Sequence, residues 1–200
     1  MITVTNNKHL PDFTLSAGAL LLLSALIFFD RDGLLIALVP GVIAHETGHA
    51  LAVALLGGQV RLLAVSASGL RMDYSGAVDG RGEAAACLAG PAMGLLYALA
   101  ASRTGTALGS DYLLCSAGLS LVLSLYNLLP ASSLDGGRIM ELALEQKLGG
   151  DTGRAAMFAL SIVVGVALVV VGILLLTRGY GFALIPAGLW IIILQFRDKE

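Results

Sequence analysis

In this chain of 200 residues, 57% are apolar and only 13% charged, whereas a soluble domain carries roughly a quarter of its residues as charges. The mean hydropathy of +0.87 points the same way, to a chain that meets lipid. A net charge of -2 excludes the basic footprint of a nucleic-acid partner. Two cysteines, Cys87 and Cys115, stand in apolar runs with no CxxC, so neither a thiolate metal site nor a disulfide framework is indicated.

A spanning helix needs about 20 mostly apolar residues. Taken in chain order, a polar N-terminal stretch precedes the first such run, Thr14–Phe29. The run lacks a small-residue cleavage site and is expected to be an uncleaved span rather than a signal peptide. Leu34–Leu56 is the second run. The break that follows, Gly57 to Glu83, is punctuated by Gly and Ser. Its β-type runs at Val60–Val65 and Gly69–Tyr74 predict a β-hairpin. Ala84–Ser102 and Tyr112–Leu129 are the third and fourth spans. From Ala131 to Arg154, apolar residues at Ile139, Met140, Ala143, Leu144 and Leu148 recur at helical spacing and predict a short amphipathic interfacial helix. Ala155–Leu176 and Tyr180–Phe196 complete the set. The expectation is an all-α polytopic membrane protein forming a single domain over residues 1–200. It has about six transmembrane helices, a small β-hairpin after the second and a short interfacial helix after the fourth, with no appended soluble domain.

With six spans, both termini and the two long breaks share one side of the bilayer. That side holds nine of the twelve Lys and Arg, and the other holds Arg31, Arg103 and Arg178. Cytoplasmic loops are enriched in these residues. The expected location is the cell membrane, with both termini in the cytoplasm.

The chemistry lies in "LVPGVIAHETGHALAVALLGG", residues 38 to 58, whose centre reads H-E-x-x-H. On a helix His45 and His49 project from one face and can grip one metal ion. Glu46 adjoins the first of them and can act as general base toward an attacking water. Ionisable groups in mid-span are expensive and default to a functional role, which weighs against the bland reading of hydrogen-bonded core residues. A catalytic zinc site takes three protein ligands. The remaining histidine, His9, sits in the polar N-terminal tail, so the third ligand is expected to be a carboxylate: Asp30, Asp32, Glu83, Asp111 or Asp135. Asp135 stands out in "NLLPASSLDGGR", where Pro130 ends a span and Gly136-Gly137 frees the backbone. Irregular backbone at membrane depth occurs where it is buried in protein or lines a wet cavity. The competing reading of Asp135 is an N-cap for the following helix.

An H-E-x-x-H in one span and an N-x-x-P-x-x-x-L-D-G near the end of a later one resemble the site-2 protease family of intramembrane zinc metalloproteases, in a minimal bacterial form without PDZ or CBS domains. The matching residues are His45, Glu46, His49, Asn127, Pro130, Leu134, Asp135 and Gly136. The resemblance implies that His45, His49 and Asp135 hold one zinc ion, that Glu46 is the catalytic base, and that Asn127 helps hold the substrate strand. Two imidazoles and a carboxylate also suit iron or cobalt; the resemblance selects zinc. "AGPAMGLL" looks like the family's small-residue helix motif. Gly90 and Pro91 match, and Gly94 stands where asparagine is common. Close helix packing is the favoured reading of Gly90 and Gly94. No distinct oxyanion donor is visible.

The function so implied is regulated intramembrane proteolysis of a transmembrane or membrane-proximal segment. The expected partners are a single-span membrane-protein substrate and the lipid bilayer, with no nucleic acid. The extended residues of Val60–Tyr74 could offer an edge for strand addition by an unwound substrate. Two alternatives stand beside this reading: an inactive relative that binds membrane proteins without cutting them, and a metal transporter. Against the transporter, no inverted repeat is visible.

Overall fold

The computed structural model describes residues 2–4, 12–15, 24, 28, 30, 32–66, 69–75, 80–179 and 182–197. Two compact units divide the chain, Met1–Ser124 and Leu125–Glu200.

The first unit joins helices to a sheet. Helix α1, Leu34–Leu55, begins where the Asp30 carboxylate accepts the N–H groups of Leu34 and Leu35, both at 2.9 Å. These are among the donors that the first turn of a helix leaves without an internal acceptor. Pro40 lies inside α1 and lacks an N–H, so the Ile36 carbonyl loses its helical donor. The Tyr112 hydroxyl donates to that carbonyl instead, at 3.3 Å. Two antiparallel strands follow, β3 (Gln59–Ser66) and β4 (Gly69–Ser75), in the segment where the sequence predicts a hairpin. Two short N-terminal strands, β1 (Ile2–Val4) and β2 (Asp12–Leu15), extend them into a four-stranded sheet of order β1-β2-β3-β4. Helix α2, Gly80–Leu108, has 29 residues and so runs about 43 Å at 1.5 Å per residue. Helix α3 covers Asp111–Asn127, and its last turn enters the second unit.

This sheet corrects the all-α expectation. β2 pairs parallel with β3, with Asp12 opposite Leu62 and Leu15 opposite Val65. Thr14 and Leu15 are therefore strand residues rather than the start of a span. Composition hides this, because a four-residue strand abutting an apolar run reads as part of that run. The remainder of Thr14–Phe29 lies largely outside the described residues, as does His9.

In the second unit, helix α4 (Asp135–Leu148) is amphipathic, helix α5 (Gly150–Leu176) is strongly apolar, and helix α6 (Leu184–Arg197) is short and apolar. A turn over Leu128–Leu134 joins α3 to α4. A side chain at Gly136 would collide with the Leu128 carbonyl, and one at Gly137 with that of Ala131, so the two glycines let this turn fold onto the start of α4. The Ser132 N–H donates to Ser161 Oγ at 2.9 Å, Ser161 Oγ donates to the Met157 carbonyl at 2.8 Å, and the Gln195 amide donates to Ser132 Oγ. Ser161 and Gln195 are buried, so this network meets the polar needs of an irregular backbone flanked by apolar helices.

Among the described residues, α1, α2 and α5 are long and apolar enough to cross a membrane, so six full-length spans are not borne out there; the first expected span, Thr14–Phe29, lies largely outside those residues. The 17 residues of α3 and the 14 of α6 reach only about 26 and 21 Å against a hydrocarbon core of about 30 Å. Large apolar side chains such as Ile36, Ile43, Leu96, Val163 and Leu174 are exposed on these helices, as expected of surfaces that face lipid rather than water. The chain is a membrane protein.

Candidate metal centre

Helix α1 carries Gly41, His45 and Gly48 on one buried face, with His49 and Glu46 half-buried beside it. Gly48 brings the neighbouring helix close: a Cβ there would collide with the Ala89 carbonyl and lie 2.8 Å from Met93 Cβ on α2. That approach sets α1 directly against α2 at the level of the histidines.

The two imidazoles meet. His45 Nε2 and His49 Nε2 are 3.2 Å apart, and the rings stand edge to face at 79° with centroids 4.8 Å apart. The far nitrogen of His49, Nδ1, lies 2.8 Å from the Ala86 carbonyl oxygen on α2. A carbonyl only accepts, so Nδ1 carries the proton and, in the neutral ring, Nε2 presents a lone pair toward His45. This is the outer hydrogen bond that orients metal-ligating histidines and fixes their tautomer.

One turn beyond Ala86 on α2 lies Gly90. Any side chain there would occupy the space of the His49 ring, against Nε2, Cε1 and Cδ2 alike. Gly90 is thus more than a packing residue. Its bare backbone forms the recess in which the ring lies, and Ala86 holds that ring from the turn before. Gly94, the next residue of the series, faces Ser124 Oγ.

This arrangement fits a divalent metal ion. Two nitrogens at about 2.0–2.1 Å from a shared cation in tetrahedral geometry stand about 3.3 Å apart, close to the 3.2 Å observed.

The other residues singled out in the sequence fall as follows. Asp30 has both carboxylate oxygens engaged by the start of α1 and leaves the ligand set. Asp32 and Asp111 are exposed, and Glu83 lies in the first turn of α2. Asn127 is the last residue of α3, half-buried, in the second unit. Asp135, in the same unit, is half-buried and is the first residue of α4. The cap position is Leu134, in extended conformation, with no side-chain cap hydrogen bond. The N-cap reading of Asp135 therefore falls away. Two contacts of the His49 ring are not signalled by the sequence motifs: the Ala86 carbonyl and the Gly90 recess. The signal that could have found them is a series of small residues at i, i+4, i+8 on α2.

Fold and paired imidazoles together define a class: a helical membrane protein with a histidine pair built into an apolar helix. Within that class, residues 98–172 match the model of peptidase family M50. The matched residues include Asn127 and Asp135, while His45, Glu46 and His49 precede them. The fold is similar to that of a solved structure, the Site-2 Protease from Methanocaldococcus jannaschii. The TM-score is 0.74 at 21% sequence identity, and the match covers 100% of this chain and 95% of that chain. No curated protein sequence matches. The chain thus has the fold of a site-2 protease and carries the M50 pattern over residues 98–172.

Proposed function

We propose that this protein is an intramembrane zinc endopeptidase that cleaves a transmembrane or membrane-proximal segment of a single-span membrane protein, as in regulated intramembrane proteolysis. The observation that carries the reading is the His45–His49 pair, backed by the Ala86 carbonyl, in a helix apolar enough to cross a membrane. Such groups are costly in hydrocarbon without a role.

His45, His49 and Asp135 would hold one zinc ion. For Asp135 the support is its L-D-G setting within the residues that match family M50. Zinc, when bound, would polarise the scissile carbonyl as a Lewis acid. Glu46 takes the proton from the attacking water and passes it to the departing amine. The Asn127 amide, which can both donate and accept, pairs with the substrate backbone. A helical substrate must unwind before attack, since its carbonyls are tied up in helical hydrogen bonds. The sheet order supports a place for the unwound strand: among the described residues β3 is paired on both sides, whereas β4 is paired with β3 alone and offers an edge.

In this reading the apolar run that ends at Phe29 and the shorter helices α3 and α6 join α1, α2 and α5 in six crossings, an even number, so both termini face the cytoplasm. The supporting observation is the excess of Lys and Arg on that side. A C-terminal reporter that is active only in the cytoplasm should be active; one that works only outside would reverse the orientation.

The direct test is proteolysis of a panel of doubly tagged single-span helices in liposomes. Glu46→Gln should abolish cleavage and leave bound zinc unchanged. Equal cleavage by Glu46→Gln and wild type would remove Glu46 from the chemistry.

A further inference from the structure

Among the described residues four serines are fully buried: Ser116, Ser120, Ser124 and Ser161. Three have a partner. Ser116 Oγ is 2.7 Å from the Tyr97 hydroxyl, Ser120 Oγ donates to the Gly94 carbonyl at 2.9 Å, and Ser161 Oγ donates to the Met157 carbonyl. Ser124 Oγ is buried and has no hydrogen-bond partner among the described residues. A helical serine surrounded by apolar helices usually turns its hydroxyl to a carbonyl one turn earlier, and a buried hydroxyl left without a partner costs free energy. Packing would be equally well served by alanine, so the hydroxyl itself needs an explanation.

Its location supplies one. Ser124 Oγ fills the space that a side chain at Gly94 would take, and the His49 ring fills the corresponding space at Gly90. Cβ positions four residues apart on a helix are about 5–6 Å apart. The Ser124 hydroxyl and His49 Nε2 therefore project into successive recesses on one face of α2, about one helical turn apart. Helix α1 gives the same layering. Gly41 faces Ser120, so His45 and Ser124, each one turn further along its helix, lie in the same layer. An oxygen atom between these recesses can take a hydrogen bond from Ser124 while lying next to the imidazole pair.

We propose that Ser124 is the oxyanion donor of this site. Its hydroxyl donates a hydrogen bond to the substrate carbonyl oxygen as that oxygen gains negative charge, and its lack of a protein partner keeps the donor available. The proposal rests on the protease reading. It also accounts for Gly94, since positions 94 and 124 share one space and only one of them can carry a side chain.

The test uses full-length protein loaded with zinc in detergent. The probe is a phosphinic pseudodipeptide with Ala and Leu side chains, a tetrahedral anion on a peptide backbone. Calorimetry reads its affinity and mass spectrometry reads zinc. Ser124→Ala should weaken the probe about 10- to 100-fold, the range of a hydrogen bond to a charged group, with zinc content unchanged. The exchange Gly94→Ser with Ser124→Gly, which returns a hydroxyl to the same space from the facing helix, should restore most of the affinity. Equal probe affinity in wild type and Ser124→Ala would overturn the role of Ser124 and leave the protease reading intact. So would a loss in Ser124→Ala that the exchange does not repair. A zinc-loaded wild type with no affinity for the probe would overturn both.

Discussion

At position 90 a missing side chain carries chemistry. The His49 ring lies against the bare backbone of Gly90, with its Nδ1–H on the Ala86 carbonyl one turn earlier. An alanine would favour the helix by up to about 1 kcal/mol on propensity alone, yet its methyl group must push the ring away. Gly90→Ala should therefore keep the fold and lose zinc affinity by about 10- to 100-fold, the scale seen when a ligand's supporting contacts are removed. Competition with a chromogenic zinc chelator measures this directly, alongside thermal unfolding. Unchanged zinc affinity in a folded Gly90→Ala would show that the recess is packing alone. The proposed ligands are legible in the sequence, and their supports are not. His45 and His49 are recognisable because imidazoles four apart on an apolar helix have few other uses. Ala86 and Gly90 act through a carbonyl and an empty recess, and Ser124 would act through a hydroxyl; all three read in sequence as ordinary small residues.

Among the elements, helices were easier to foresee than the strands. The apolar length of α1 and α5 marks them plainly, and α4 follows from the spacing of its apolar residues. The N-terminal strands are three and four residues long, too short for an alternating pattern, and their pairing with β3 is a long-range event that no local signal encodes. That pairing bears on the proposed substrate strand, because among the described residues it closes one side of β3 and leaves β4 with a free edge. If substrate adds to β4, single prolines introduced along Leu70–Tyr74 should reduce cleavage at the positions whose N–H faces the free edge, since proline cannot donate to a ladder. Bound zinc should not change. Undiminished cleavage across the whole series would remove β4 from substrate binding.

For the whole molecule, the question is why the proposed hydrolytic centre, which would need water, stands in helices suited to lipid. Peptide bonds within a membrane can be reached only there, and a polar support such as the Ala86 carbonyl makes a buried imidazole pair tolerable. Composition treats every apolar run as equivalent and so counts six. The structure separates three full-length helices from the shorter α3 and α6, and it draws Thr14 and Leu15 into the sheet. The central claim, one zinc ion held by His45, His49 and Asp135, is tested most directly by metal content. Elemental mass spectrometry on detergent-purified wild type, His49→Ala and Asp135→Ala should give about one zinc per chain in wild type and much less in both variants. A folded wild type without zinc, or zinc retained in both variants, would contradict it.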